Sequence, residues 1–139
     1  YSIENFQRRM ERGLLTTYKA VEDAAREMFE EFLANKYNIA VRIEKIKLEE
    51  IGEINVFGIV DNICFIGEIE TTAQEDTLHE INRKSELIFK KYPDMIKDKK
   101  VIKVLITGRI NYELLNKAKE MNIYVMLWDR ELIPLPLTT

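Results

Sequence analysis

The sequence predicts an α/β domain built on one mixed sheet, and three observations carry that prediction. The segment 53–70 reads as two apolar strands joined by Asp61 and Asn62, residues that tolerate the left-handed backbone of a tight hairpin turn. Residues 101–107 (Val-Ile-Lys-Val-Leu-Ile-Thr) are rich in apolar and β-branched side chains, a strong signal of a buried strand. Before and after these strands, apolar residues recur at three- and four-residue steps, the spacing of amphipathic helices. A hairpin is antiparallel, whereas strand–helix–strand links are right-handed crossovers to parallel strands. The sheet is therefore expected to be mixed, with helices on both faces.

Leu14, Tyr18, Val21, Ala25, Met28 and Phe32 share one helical stripe, widened by Phe29 and Leu33, which predicts a helix over 14–34. Phe6 and Met10 continue that phase across Gly13, so a longer or kinked helix is expected. Residues 1–13 are read as a helical extension and 14–139 as a single domain. Asn35 and Asn38 end the helix, and 39–48 alternates apolar and polar residues as a strand does. A polar turn over 49–52 leads into the hairpin. Thr71 and Thr72 are read as capping residues for a helix over 74–91, ended by Tyr92, Pro93 and Asp94. A short helix over 111–121 and a strand over 123–128 follow. Pro134 and Pro136 make the last segment irregular or an edge.

With 139 residues, the chain is long enough for one cored domain. An apolar fraction of 46% beside 32% charged residues excludes a disordered chain. No segment is apolar enough to span a bilayer and no secretory signal is visible, so a cytoplasmic location without a membrane partner is expected. The start at Tyr1 reads as a processed or excised piece. Cys64, inside an apolar strand, reads as a buried and inert thiol. Few Gln and His, with abundant Lys and Glu, point to a thermophile. A net charge of −3 excludes a global basic field that would draw in nucleic acid. The balance is uneven: residues 1–75 hold 9 basic and 15 acidic side chains, residues 76–139 hold 12 and 9. The second half could thus offer a phosphate-facing surface, although solvated helix and loop charge is the commoner reading.

With Asp61 and Asn62 as the loop, Val60 faces Ile63, Phe57 faces Ile66, Asn55 faces Glu68 and Glu53 faces Glu70. Opposed residues and those two apart share a face, so Glu53, Asn55, Glu68 and Glu70 are expected to form one polar cluster at the open end of the hairpin. Three carboxylates and an amide there need compensation, which a divalent metal would supply. The plainer reading is that strand ends simply reach water, and a one-residue slip would scatter the cluster.

The order of elements, with an acidic cluster on the central hairpin, resembles the PD-(D/E)XK nuclease superfamily, in particular an uncharacterised archaeal nuclease-like branch. The helix over 21–33 with Glu22, the strands carrying Glu53 to Asn55 and Glu68 to Glu70, the helix with Arg83, and the closing strand–helix–strand each find a counterpart. The resemblance implies a restriction-endonuclease-like three-layer fold and hydrolysis of DNA or RNA phosphodiesters with Mg²⁺ or Mn²⁺. It places Asn55 where the metal-binding aspartate belongs, Glu68 at the second ligand, Glu70 in place of the catalytic lysine, and Glu22 at the helix glutamate. The catalytic set implied is Glu68, Glu70, Asn55 and Glu22, and the metal set is Glu68, Asn55 and Glu53. Arg83 and Lys84 would meet the nucleic-acid backbone, DNA being favoured over RNA. Asn for Asp and Glu for Lys imply a degenerate site, since hard cations favour anionic oxygen. The alternative expectation is a non-catalytic nucleic-acid-binding or assembly module, a homodimer through the N-terminal helix.

Overall fold

The computed structural model describes residues 3–12 and 17–137. Gly13 and Leu14, where the long-helix reading put its junction, lie outside them, as do the side chains of Met10 and Tyr18. Helices α1 (Ile3–Arg12) and α2 (Thr17–Tyr37) precede the meander β1 (Glu44–Leu48), β2 (Gly52–Val60) and β3 (Ile63–Thr72). Then come α3 (Glu75–Lys91), a 3-10 turn at Pro93–Met95, β4 (Lys100–Arg109), α4 (Tyr112–Glu120), β5 (Ile123–Leu127) and β6 (Glu131–Ile133). The six strands lie side by side in chain order. β1–β2–β3 and β5–β6 are antiparallel, and β3–β4–β5 are parallel. The mixed sheet expected from the sequence is what forms.

Helix α2 covers one face, setting Met28, Phe29 and Leu33 against Phe65, Val104 and Tyr124. Helices α3 and α4 cover the other, where Leu78 and Ile81 meet Leu105 and Val125, and Ile88 meets Ile54 and Ile66. Burial on both faces explains why the middle stretches of β3 and β4 are dominated by apolar residues. Cys64 is fully buried, and burial pushes its thiol up to about 11, which keeps it protonated and inert. No helix among the described residues is long and apolar enough to cross a membrane.

Local boundaries differ from the sequence reading where side chains capture the backbone. α2 continues through Asn35 to Tyr37, and Asn38, at φ 55°, ends it while Ile39 N–H donates back to the Leu33 carbonyl at 3.0 Å. The strand expected from 39 begins only at Glu44, because Ile43 N–H donates to the Glu30 carboxylate at 2.6 Å and ties that segment to α2. Thr71 and Thr72 do not cap α3; they extend β3. Gln74 is the cap, its N–H donating to Thr77 Oγ1 at 3.1 Å.

Helix α1 lies back on the body of the domain. Phe6 stacks on Trp128 with ring centroids 4.7 Å apart and planes within 13°. Arg9 donates to Met28 Sδ and pairs with Glu27 at 3.4 Å and with Glu31. The apolar stripe that suggested self-association thus presents Phe6 to the chain's own core, leaving Ile3 exposed. Phe6→Ala should therefore lower stability by about 3 kcal/mol. Chemical unfolding followed by the emission of Trp128, the sole tryptophan, measures it directly. An unchanged midpoint would mean that α1 contributes nothing to the fold.

Candidate functional site: a fork between two strands

The hairpin forms in the register read from the sequence, from Val60↔Ile63 through Phe57↔Ile66 to Val56↔Gly67. Of its two turn residues, Asp61 takes the left-handed φ of 51°. The ladder stops at Val56, so Asn55 is not paired to Glu68, nor Glu53 to Glu70, through backbone bonds. The cause is a bulge in β2. Between the pairs Glu44↔Phe57 and Ile46↔Ile54, β1 advances by two residues and β2 by three. The extra residue breaks the alternation: Ile54 and Phe57 both pack toward α3, while Val56 packs toward α2. β2 then follows β1, β3 follows β4, and the two part as a fork. Gly67 marks the branch point, where a Cβ would run into the Val104 carbonyl of β4.

Parting the strands strips backbone groups of ladder partners, which is costly in a buried place. Side chains restore them. Asn55 N–H donates to Glu68 Oε2 at 3.3 Å, and Ile69 N–H donates to Asn55 Oδ1 at 3.3 Å. Arg26, from α2, donates to the Asn55 carbonyl at 3.0 Å. Lys84, from α3, donates to the Glu53 carbonyl and, at 2.9 Å, to Glu68 Oε1. Both Glu68 and Lys84 side chains are only 10% exposed, so this is a buried ion pair.

The fork encloses a cleft of about 220 Å³ lined by Glu22, Glu53, Asn55, Glu68, Glu70 and Lys84 among others. Glu68 and Glu70 also wall an adjoining hollow of about 350 Å³ with Asp76 and Glu80. Burial raises the Glu68 pKa against the opposing pull of Lys84 and of the Asn55 N–H. Burial also raises that of Glu70, and the negative charge of Glu22 raises it further. Lys45, from β1, lies 3.2 Å from Glu22 and 3.5 Å from Glu53.

The structure thus brings together Glu22, Asn55, Glu68 and Glu70, with Glu53 at the rim, 56% exposed. It separates the two cations expected to face nucleic acid. Arg83 stays at the surface, paired with Glu80. Lys84, expected at the nucleic-acid backbone, lies buried in the site, where its ammonium reaches from α3 to the Glu53 carbonyl and the Glu68 carboxylate. Sequence reasoning missed Arg26 and Lys45. Arg26 was legible in part, since it follows Glu22 by one helical turn and shares its face.

A divalent ion of the magnesium type requires hard oxygen donors. The cleft supplies them as carboxylates and an amide oxygen, and its four glutamates and two lysines sum to −2, so the donor set fits by chemistry. Among the described residues, no three His, Cys, Asp or Glu side chains converge closely enough to hold an ion. In this arrangement lysines engage Glu22, Glu53 and Glu68.

This architecture is the restriction-endonuclease-like fold: it is similar to the crystal structure of a repair endonuclease from Pyrococcus abyssi, with a TM-score of 0.51 and 10% identity. The match covers 78% of this chain and 46% of the endonuclease chain, so this chain spans under half of that protein. Residues 23–135 match the family described as a domain of unknown function, DUF8196, and the chain belongs to that family. No curated protein matches the chain.

Two stability outcomes follow from the site's charges. Lys84→Met strands a buried carboxylate and should cost about 3–5 kcal/mol, whereas adding Glu68→Gln should recover much of the loss in a double-mutant cycle. Strictly additive losses would mean that the pair does not interact. Because the Glu70 pKa is raised on folding, its ionisation opposes folding. That penalty is absent below the ordinary value of 4.5 and appears as pH rises through the folded value. Glu70→Gln should thus unfold at higher urea than the natural chain at pH 7, with the difference vanishing near pH 4. A constant difference across that range would refute the assignment.

Proposed function

We propose that this domain engages nucleic-acid phosphodiesters at the β2–β3 fork and acts there as a weakened Mg²⁺- or Mn²⁺-dependent hydrolase of the PD-(D/E)XK kind. One observation carries the reading: a buried carboxylate–ammonium pair, Glu68 and Lys84, sits in a cleft whose other walls are Glu22, Asn55 and Glu70. The family pattern sets a lysine two residues after the ligand glutamate on one strand. Here that position is Glu70, and an ammonium reaches the same carboxylate from α3 instead.

The acidic walls themselves favour a cation-assisted reading, because like charge repels a phosphodiester unless positive charge intervenes. A bound divalent ion would supply polarisation of the phosphate and acidification of the attacking water. Glu68, the Asn55 amide and Glu53 would supply its oxygens, with Glu22 and Glu70 adding negative charge beside it. Lys84 holds Glu68 in place and puts a positive charge beside it. Arg26 and Asn55 keep the fork open by satisfying the unpaired backbone. DNA is the preferred substrate in this reading.

A second reading has its own support. Both oxygens of Glu68 already accept hydrogen bonds, and no three candidate ligands converge among the described residues. A domain that keeps the fork for structural reasons and serves as a non-catalytic nucleic-acid-binding or homodimeric assembly module has the same appearance.

The rebuilt variant Asn55→Asp/Glu70→Lys separates the two. An Asp at 55 still accepts from Ile69 N–H and adds an anionic ligand, while Lys at 70 relieves the repulsion from Glu22. The hydrolase reading expects this variant to bind Mn²⁺ more tightly and to cut plasmid DNA or RNA faster than the natural chain. It also expects Glu68→Gln to abolish cutting. A rebuilt variant that folds, ignores Mn²⁺ and cuts nothing would leave the assembly module as the preferred account.

A further inference from the structure

Lys45 is a member of the site that neither the family pattern nor the fork requires. Its ammonium sits between Glu22 of α2 and Glu53 of β2, at 3.2 and 3.5 Å, and bridges two carboxylates from different elements as a divalent ion does. Lys84 cannot leave its place, because it is buried and also holds the Glu53 carbonyl. Lys45 differs on both counts. It lies on β1, an outer strand of the sheet, and its side chain is 39% exposed. An ammonium on a four-carbon stem there can swing to solvent with little loss.

Resting on the proposed function, we propose that Lys45 is the cleft's resident counter-cation, which a divalent ion displaces and thereby frees to contact the incoming phosphodiester. The charges support the exchange. With both lysines in place the four glutamates leave −2. When Lys45 departs and a divalent ion enters, the interior carries −1 and the rim gains a free ammonium. Positive charge thus moves to the mouth only after the ion is in, so a phosphate meets repulsion before loading and attraction after it. Two ligands linked through one side chain are coupled reciprocally: Mn²⁺ tightens nucleic-acid binding, and nucleic acid tightens Mn²⁺ binding by the same factor.

The full chain, its Lys45→Met variant and the charge-keeping Lys45→Arg are compared by two binding measurements, neither of them activity. Calorimetry with Mn²⁺ alone reads ion affinity. Fluorescence anisotropy with a labelled DNA duplex, with and without Mn²⁺, reads the coupling. Removing a competing, partly exposed ion pair should tighten Mn²⁺ binding by roughly fivefold in Lys45→Met. The same variant should lose most of the Mn²⁺-dependent gain in DNA affinity seen in the natural chain, while Lys45→Arg should keep it. If the natural chain binds Mn²⁺ and Lys45→Met binds it no more tightly, or keeps the full DNA gain, the Lys45 assignment is overturned and the metal site stands. If the natural chain binds no Mn²⁺, the metal reading falls and the Lys45 assignment with it.

Discussion

The rest of the site depends on one constraint, the satisfaction of backbone groups where β2 leaves β3. A bulge in β2 breaks the ladder at Val56, and the carbonyls and amides of Glu53 to Asn55 then need partners from elsewhere. They find them in Glu68, Lys84 and Arg26, while on β3 the Ile69 N–H finds the Asn55 side-chain amide. Each of these is polar or charged, so a cleft that would otherwise close as apolar core is held open and lined with ionisable groups. Structural need and chemical opportunity coincide at the same atoms.

That coincidence bears on which side chains the fold itself needs. A buried carboxylate with its ammonium removed is an uncompensated charge, and so is the ammonium left alone. Glu68 and Lys84 therefore support each other in the fold whether or not anything is cut. The positions free to drift are those whose loss leaves nothing stranded. Glu70 is the clearest, since its side chain, only partly buried at the cleft wall, makes no hydrogen bond required by the fork. A glutamate there is tolerated at the expense of repulsion from Glu22. Asn55 is intermediate: its amide oxygen still accepts from Ile69, as an aspartate would, but without the charge.

The N-terminal helix shows a related economy. Trp128 follows directly on β5, where it could have been an exposed platform. Phe6 stacks on it, and Arg9 bridges to α2 through Met28, Glu27 and Glu31. α1 thus finishes the layer that α2 begins over the sheet face, with its polar side tied by ion pairs.

The sequence by itself determined the element order, the mixed sheet and the hairpin register near the turn, because these follow from local periodicity and from the left-handed tolerance of Asp61. It also carried the identity of most cleft residues: Glu22, Asn55, Glu68 and Glu70 lie where element order puts them. Tertiary structure alone decided how they meet. The bulge left no mark in the pattern of β2, since Ile54 and Val56 are apolar whichever face they take. The inward turn of Lys84 depends on a carbonyl freed thirty-one residues earlier in the chain. The reach of Lys45 depends on β1 pairing to β2 with one residue slipped. Side-chain periodicity reports which residues face a common side of one element. It does not report which groups two elements leave unpaired when they separate, and at this site those unpaired groups decide the chemistry.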